Sequence, residues 1–129
     1  EHSLFQNNFQ SYLLDRRNVN LGVGADLNDP QSNSESESAR RLGEVAKLFL
    51  DAGHVVISTS NAFHRDDQAD LKLLANPYPV VEIQVSSKPT GEPDLILSVE
   101  EAQDVNEASY KIQDFLKEKK ILMGHNYSI

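Results

Sequence analysis

The sequence predicts an α/β fold of three layers, a mostly parallel sheet with helices on its faces, and three observations carry that prediction. Short aliphatic or β-branched runs alternate with amphipathic stretches, the order β-loop-α-β-α-β-β-α, which is the pattern of strands joined by helical crossovers. One run, His54-Val55-Val56-Ile57-Ser58-Thr59, is almost continuously apolar, as expected of a strand covered on both faces. The chain has 129 residues, 39% hydrophobic and 25% charged, which is enough for a single domain over 1–129 and too little for two.

Each element has its own warrant. Glu1 to Ser11 is amide-rich, with Leu4, Phe5 and Phe9 at helical spacing, and reads as a helix remnant or a tag. Tyr12-Leu13-Leu14 is too short for a helix and ends on Asp15-Arg16-Arg17-Asn18, so it is predicted as a buried strand with a polar loop at its carboxyl end. Asn18 to Glu37 holds Gly22, Gly24, Pro30 and a Ser/Asn/Glu tract, and is predicted as loop. Ser34 and Glu37 have capping-box spacing, Leu42, Val45, Ala46 and Phe49 share one helical face, and Gly53 supplies a left-handed stop. A helix from about Ser36 to Ala52 follows. His54–Thr59 is the second strand, with Ser60 to His64 a polar loop behind it. Asp66 to Ala75 is predicted helical, stopped by Asn76-Pro77-Tyr78-Pro79. Val80–Val85 and Asp94–Val99 are the third and fourth strands across a Pro- and Gly-containing connector. Asn106 to Lys120 is a final helix with Ala108, Ile112, Phe115 and Leu116 on one stripe and lysines at its C-terminal dipole.

Composition excludes several classes of function. With no cysteine, disulfides, thiolate metal sites and thiol catalysis are ruled out, and a reducing cytoplasm is the expected location. Twenty acidic residues against twelve basic ones, a formal charge of -8, argue against a nucleic-acid partner. The longest apolar runs fall far short of the ~20 residues of a membrane span, and no signal peptide is read. His2, His54, His64 and His125 lack metal-ligand spacing. Asn126-Tyr127-Ser128 fits the N-glycosylation pattern, which is discounted without a sign of secretion. In an open α/β sheet a ligand binds outside the carboxyl ends of the strands, which points to the loops after Asp15 and Thr59. Arg16-Arg17 there reads either as an anion clamp or as a solvated pair, and Asp15 either as a Mg²⁺ ligand or as a cap.

The run Arg40-Arg41-Leu42-Gly43-Glu44-Val45-Ala46-Lys47-Leu48-Phe49-Leu50-Asp51-Ala52-Gly53 resembles the adenylylsulfate kinase family, whose R-R-I-G-E-V-A-K-L-F-x-D-A-G forms the helix before a central strand. Tyr12-Leu13-Leu14-Asp15 with Asn18-Val19, Gly22 and Asp26-Leu27 is similar to the family's L-D-G-D-N-V-R-x-G-L-x-x-D-L. Pro93–Leu97 and Asn106-Glu107-Ala108 are similar to its closing strand and last helix, so the resemblance runs over 12–129. It implies a P-loop kinase fold and phosphoryl transfer from MgATP to the 3′-hydroxyl of adenosine 5′-phosphosulfate, chemistry that needs a phosphate cradle and cations around the transferred group.

The chain departs from the family at those parts. No G-x-x-x-x-G-K-[ST] occurs in the 129 residues. The second Asp of D-G-D-N-V-R is Arg17 and its Arg is Asn20; the Arg and Asn of D-R-x-x-N-I-R-R are Glu35 and Ser38; the Arg of I-S-P-Y-R is His64; and the basic lid shrinks to Ser86–Pro93 with Lys88 as its cation. In the family fold, the strand feeding the phosphate loop lies between those of Val55–Thr59 and Val80–Val85, and the chain begins after it. By resemblance the substrate-binding positions are Asp15, Arg17, Asn18, Arg40, Asn61 and His64, with no catalytic residue and no metal assigned. The expected function is a non-catalytic, structural, dimerising or nucleotide-sensing domain of a sulfate-activation protein, the alternative being a fragment of a genuine kinase with its P-loop upstream of Glu1. No cofactor is expected, MgATP entering only if the parent supplies a P-loop. The expected partners are adenosine phosphosulfate or a related nucleotide, ATP sulfurylase by fusion or association, and a second copy in a homodimer.

Overall fold

A computed structural model describes residues 1–27, 34–61 and 65–122, the side chain of Ser34 excepted. The chain divides into two compact units, Glu1–Pro79 and Val80–Ile129. In the first, the order is α1 (His2–Gln6), β1 (Ser11–Asp15), α2 (Arg16–Leu21), a 3₁₀ turn (Ala25–Leu27), α3 (Ser34–Asp51), β2 (Val55–Thr59) and α4 (Arg65–Ala75). In the second it is β3 (Ile83–Val85), β4 (Leu95–Leu97), α5 (Val99–Gln103) and α6 (Val105–Glu118). Both strand pairs are parallel, as the alternation of elements predicts: β1 with β2 in the register Tyr12 to Val56 and Leu14 to Ser58, and β3 with β4 in the register Gln84 to Ile96.

The core of the first unit is local to one face of its sheet. Tyr12 and Leu14 project to the same side of β1. Leu14 and Val19 are buried with Leu42 of α3, and Val45, Ala46 and Val56 pack against them. Leu42 is 1% exposed, so its burial contributes roughly 1.5–3 kcal/mol. Tyr12 stacks on Phe49 with ring centroids 4.2 Å apart. Leu13, on the opposite side of β1, remains 46% exposed, and β2 is half-buried to exposed along its length. This differs from the strand covered on both faces that the apolar run suggested: among the described residues β2 pairs with β1 alone, in a sheet of two strands.

The predicted helix of Ser36 to Ala52 is α3, and Gly53 ends it as expected. Gly53 has φ +88°, its N–H donates to the Leu50 carbonyl at 2.9 Å, and the His54 N–H returns to the Phe49 carbonyl at 3.0 Å. Glu35 and Glu37 sit in its first turn, where the helix dipole favours acids. The Glu37 carboxylate holds Arg40 and Arg41, while the Ser34 side chain of the expected capping box lies outside the described residues. Where α4 crosses α3, Gly43 lets the helices meet: a β-carbon there would lie 2.7 Å from Leu74 Cδ1. The α3 end is tied to the segment after α4 by Lys47, which donates to the Asn76 carbonyl at 3.0 Å, and by Tyr78, whose hydroxyl donates to Asp51 at 3.0 Å.

Three boundaries differ from the sequence reading. Of the predicted loop Asn18 to Glu37, residues 18–21 are the end of α2, 25–27 a 3₁₀ turn and 34–37 the start of α3, 22–24 are turn, and 28–33 lie outside the described residues; α2 forms because the Asp15 carboxylate accepts the Arg17 N–H at 2.8 Å and Val19 finds the core. The third strand starts at Ile83 rather than Val80, because Pro93 has no N–H to offer and the side chain of Asp94 takes the Glu82 N–H at 2.8 Å, closing the ladder. The fourth strand stops at Leu97 because Ser98 and Glu101 form a reciprocal capping box, at 3.0 and 2.8 Å, that starts α5 at Val99. In α6 the stripe of Ala108, Ile112, Phe115 and Leu116 is half-buried, and Gln113 is buried with its amide donating to Ser109. The glycosylation-like Asn126-Tyr127-Ser128 lies outside the described residues.

Candidate functional site

Parallel pairing of Asp15 with Thr59 brings the carboxyl ends of β1 and β2 side by side, so residues 15–18 and 60–61 leave the sheet at one end. The Asp15 carboxylate caps α2, one of its oxygens accepting the Arg17 N–H at 2.8 Å. Arg17 and Asn18 follow in the first turn of α2, both exposed. Asn61 is exposed in the bend after β2. His64 lies outside the described residues.

Arg40 behaves differently. Its guanidinium is held by Glu37 at 2.7 and 2.8 Å and by Glu44 at 3.4 Å on the exposed face of α3. Arg41 turns to the 3₁₀ turn, donating to the Val23 carbonyl at 2.8 Å and to both carboxylate oxygens of Asp26, and it too reaches Glu37, at 3.0 Å. The Arg40 and Arg41 guanidinia therefore hold the Glu37 carboxyl down to about 2, Arg41 lowers Asp26, and Asp26 with Glu37 raises Arg41 in return. This network reaches solvent and ties Val23 and the 3₁₀ turn at Asp26 to α3.

The residue that occupies the end of the sheet is one the substrate-position set did not include. Arg16, half-buried, donates through Nε to Ser38 Oγ and through one Nη to Ser60 Oγ, both at 3.5 Å, and through the other Nη to the Glu35 carbonyl at 3.3 Å. Buried Ser38 donates in turn to Asn20 Oδ1. One cation thus spans the end of β1, the residue after β2 and the first turn of α3. Its signal in the sequence is its place directly after the strand, whereas the family pattern points to Arg17.

As for a metal, no group of three or more His, Asp or Glu side chains that could hold one occurs among the described residues. Asp15, the acid closest to such a role, has its carboxylate turned to its own helix. In the second unit, the connector Ser86–Pro93 is pinned as a turn: the Gln84 amide donates to the Thr90 carbonyl at 2.8 Å and accepts the Thr90 N–H at 3.0 Å, and Ser86 Oγ accepts from the Lys88 N–H. No described helix is long and apolar enough to cross a membrane.

Comparison with known proteins bears on this geometry. The family model for adenylylsulphate kinase matches residues 1–92, a span that takes in α1. The adenylyl-sulfate kinase of Geotalea daltonii is 35% identical over 86 residues, 67% of this chain and 42% of the relative. That of Shewanella denitrificans is 38% identical over 104 residues, 81% of this chain and 46% of the relative. The chain spans less than half the length of these relatives. Among solved structures, a cysteine-to-alanine mutant of the Mycobacterium tuberculosis APS kinase CysC aligns with a TM-score of 0.79 at 25% identity, over 91% of this chain and 82% of that one. The CysC complex with AMPPNP and APS aligns with a TM-score of 0.78 at 20% identity, which speaks for the fold.

Proposed function

Because the chain belongs to the adenylylsulphate kinase family, we propose that it is the acceptor-side segment of a working adenylylsulfate kinase, whose phosphate loop is supplied by polypeptide upstream of Glu1. In that reaction the γ-phosphoryl of ATP passes to the 3′-hydroxyl of adenosine 5′-phosphosulfate, releasing ADP and the 3′-phosphorylated product. The observation that carries the reading is the family match over residues 1–92 to relatives that are kinases more than twice as long as the matched segment.

The residues present do not fit a MgATP site. The sequence contains no phosphate loop, and the Asp15 carboxylate is engaged with the Arg17 N–H. No step through MgATP is therefore assigned to this chain. What its residues supply is the floor of the acceptor site: the ends of β1 and β2, the first turn of α2 with Arg17 and Asn18, and Arg16 between Ser38 and Ser60. Localisation in the cytoplasm accords with a chain free of cysteine.

The test is a coupled assay of the chain joined to its native upstream sequence, with ATP and adenosine 5′-phosphosulfate. Turnover to ADP and the 3′-phosphorylated nucleotide is expected, and absence of turnover from the folded longer protein refutes the reading. A second reading, favoured by Arg17 and Glu35 at positions where the family pattern has Asp and Arg, is a non-catalytic module of a sulfate-activation protein, structural or dimerising beside an ATP sulfurylase. It predicts a folded protein with no turnover in the same assay.

A further inference from the structure

We propose that Arg17 and Asn20 form an anion subsite, the guanidinium of one and the side-chain amide of the other taking oxygens of the phosphate or sulfate group of a bound nucleotide. The proposal rests on the reading of the carboxyl ends of β1 and β2 as an acceptor site, and it names the group this site takes and the pair of side chains that takes it. Residues three apart on a helix are neighbours, with β-carbons ~5–6 Å apart, so Arg17 and Asn20 share one face of α2 at a spacing that a tetrahedral oxyanion bridges. The family pattern has Asp and Arg at these two positions, so the cation here stands one turn earlier and a neutral donor follows it.

Asn20 is the member of the pair that the fold holds in place. Ser38, buried near the start of α3, accepts the Arg16 Nε–H and gives its own proton to Asn20 Oδ1, so the oxygen side of the amide faces the protein. Gly24 approaches the same side: a β-carbon there would lie 3.1 Å from Asn20 Cα and 3.5 Å from Asn20 Oδ1. The amide nitrogen keeps two N–H groups that no described residue takes, at the end of a half-buried side chain. A donor fixed in this way has given up rotamer freedom before any ligand arrives, which lowers the cost of binding. Arg17 supplies the charge. Its backbone N–H goes to Asp15, and its exposed guanidinium has no partner among the described residues. Acids on the neighbouring elements are engaged elsewhere, Asp26 by Arg41 and Glu37 by Arg40 and Arg41. An oxyanion on an arginine fork makes hydrogen bonds about twice as strong as neutral ones.

Isothermal titration of the 129-residue chain with inorganic sulfate, inorganic phosphate, adenosine 5′-monophosphate and adenosine 5′-phosphosulfate tests the assignment and separates the sources of the oxyanion. Arg17→Gln is expected to weaken whichever of these the wild type binds by about tenfold or more. Asn20→Asp is expected to do the same, because an aspartate still accepts from Ser38 but offers the ligand no N–H. Lys72→Gln, the same loss of charge on α4, is expected to change affinity less than twofold, a bound set by the weakness of exposed charges at a distance. Equal binding of adenosine 5′-phosphosulfate by wild type and Arg17→Gln overturns the proposal and leaves the kinase reading standing. Binding that Arg17→Gln weakens and a folded Asn20→Asp protein retains also overturns it, since the pair is what is proposed. Binding of sulfate or phosphate that depends on both residues, with no binding of either nucleotide, supports the subsite and counts against the kinase reading. A wild-type chain that binds none of the four overturns the proposal. Should Asn20→Asp melt at a markedly lower temperature, Arg17→Lys, which keeps the charge but loses the fork, decides: weaker binding supports the proposal, and unchanged binding refutes it.

Discussion

Replacing Gly43 by alanine would place a β-carbon 2.7 Å from Leu74 Cδ1, 3.1 Å from Leu71 Cδ2 and 3.3 Å from Leu74 Cβ, inside the contact between α3 and α4. Two effects oppose each other. Alanine gains ~0.8–1 kcal/mol over glycine in a helix interior, whereas inserting a methyl group into a close-packed contact costs about 1–3 kcal/mol. The nearest atom is the end of a side chain that can rotate, but the second and third contacts are also tight, so the packing cost takes the middle of its range. The net is a destabilisation of about 1 kcal/mol, or a fall in Tm of about 4 °C for a chain of this size. Urea denaturation followed by circular dichroism measures it, and Leu74→Ala supplies the control. With Cδ1 gone most of the clash goes too, so Gly43→Ala in that background should stabilise by about 0.5 kcal/mol, a coupling of about 1.5 kcal/mol between the two sites. Equal stabilisation by Gly43→Ala in both backgrounds would show that the helices are not in contact there and would refute the reasoning.

The remaining predictions concern the polar contacts. The Glu37 carboxyl, held at about 2 against an ordinary 4.5, contributes stability that is complete above pH 4.5 and is lost as the pH falls from there towards 2. Glu37→Gln should flatten that part of the stability–pH curve, and salt should weaken the wild-type effect because both arginines are solvent-accessible. Asp15→Ala removes the cap of α2 and should cost about 1 kcal/mol in denaturant melts, with Asp15→Asn recovering most of it. Ser98→Ala should cost a similar ~1 kcal/mol and speed hydrogen exchange at the amides of α5, while leaving exchange in β1 and β2 unchanged.

What the sequence made legible follows from periodicity and punctuation. Helix α3 was readable because Leu42, Val45, Ala46 and Phe49 repeat on one face and Gly53 stops them; the observed Ser34–Asp51 differs by two residues at the start and one at the end. Helix α2 was not, because Arg-Arg-Asn-Val-Asn-Leu carries almost no apolar pattern and forms through one cap and one buried valine. For α5 the signal was present in Ser98-x-x-Glu101, but the apolar run Leu95-Ile96-Leu97 led the strand reading across it. At the site, chain order alone put Asp15, Arg17 and Asn18 at a strand end. Which arginine crosses to α3 is a matter of side-chain direction, and no pattern of spacing contains it. Arg40 shows the reverse case, a cation at a family position whose own helix supplies acids one turn away on either side.

The pinned connector between β3 and β4 also bears on how the chain reaches its fold. Parallel strands ordinarily need a crossover of a dozen residues or more, and β1 and β2 are separated by residues 16–54; β3 and β4 are joined by residues 86–94 alone, with Gln84 and Asp94 supplying the side-chain bonds that hold so short a path. Closing the shorter loop costs roughly 1 kcal/mol less chain entropy by the logarithmic loop-length relation. The second strand pair is thus the one of low contact order, and it is positioned to zip first during refolding, with pulse-labelled amides of residues 83–97 protected ahead of those in β1 and β2.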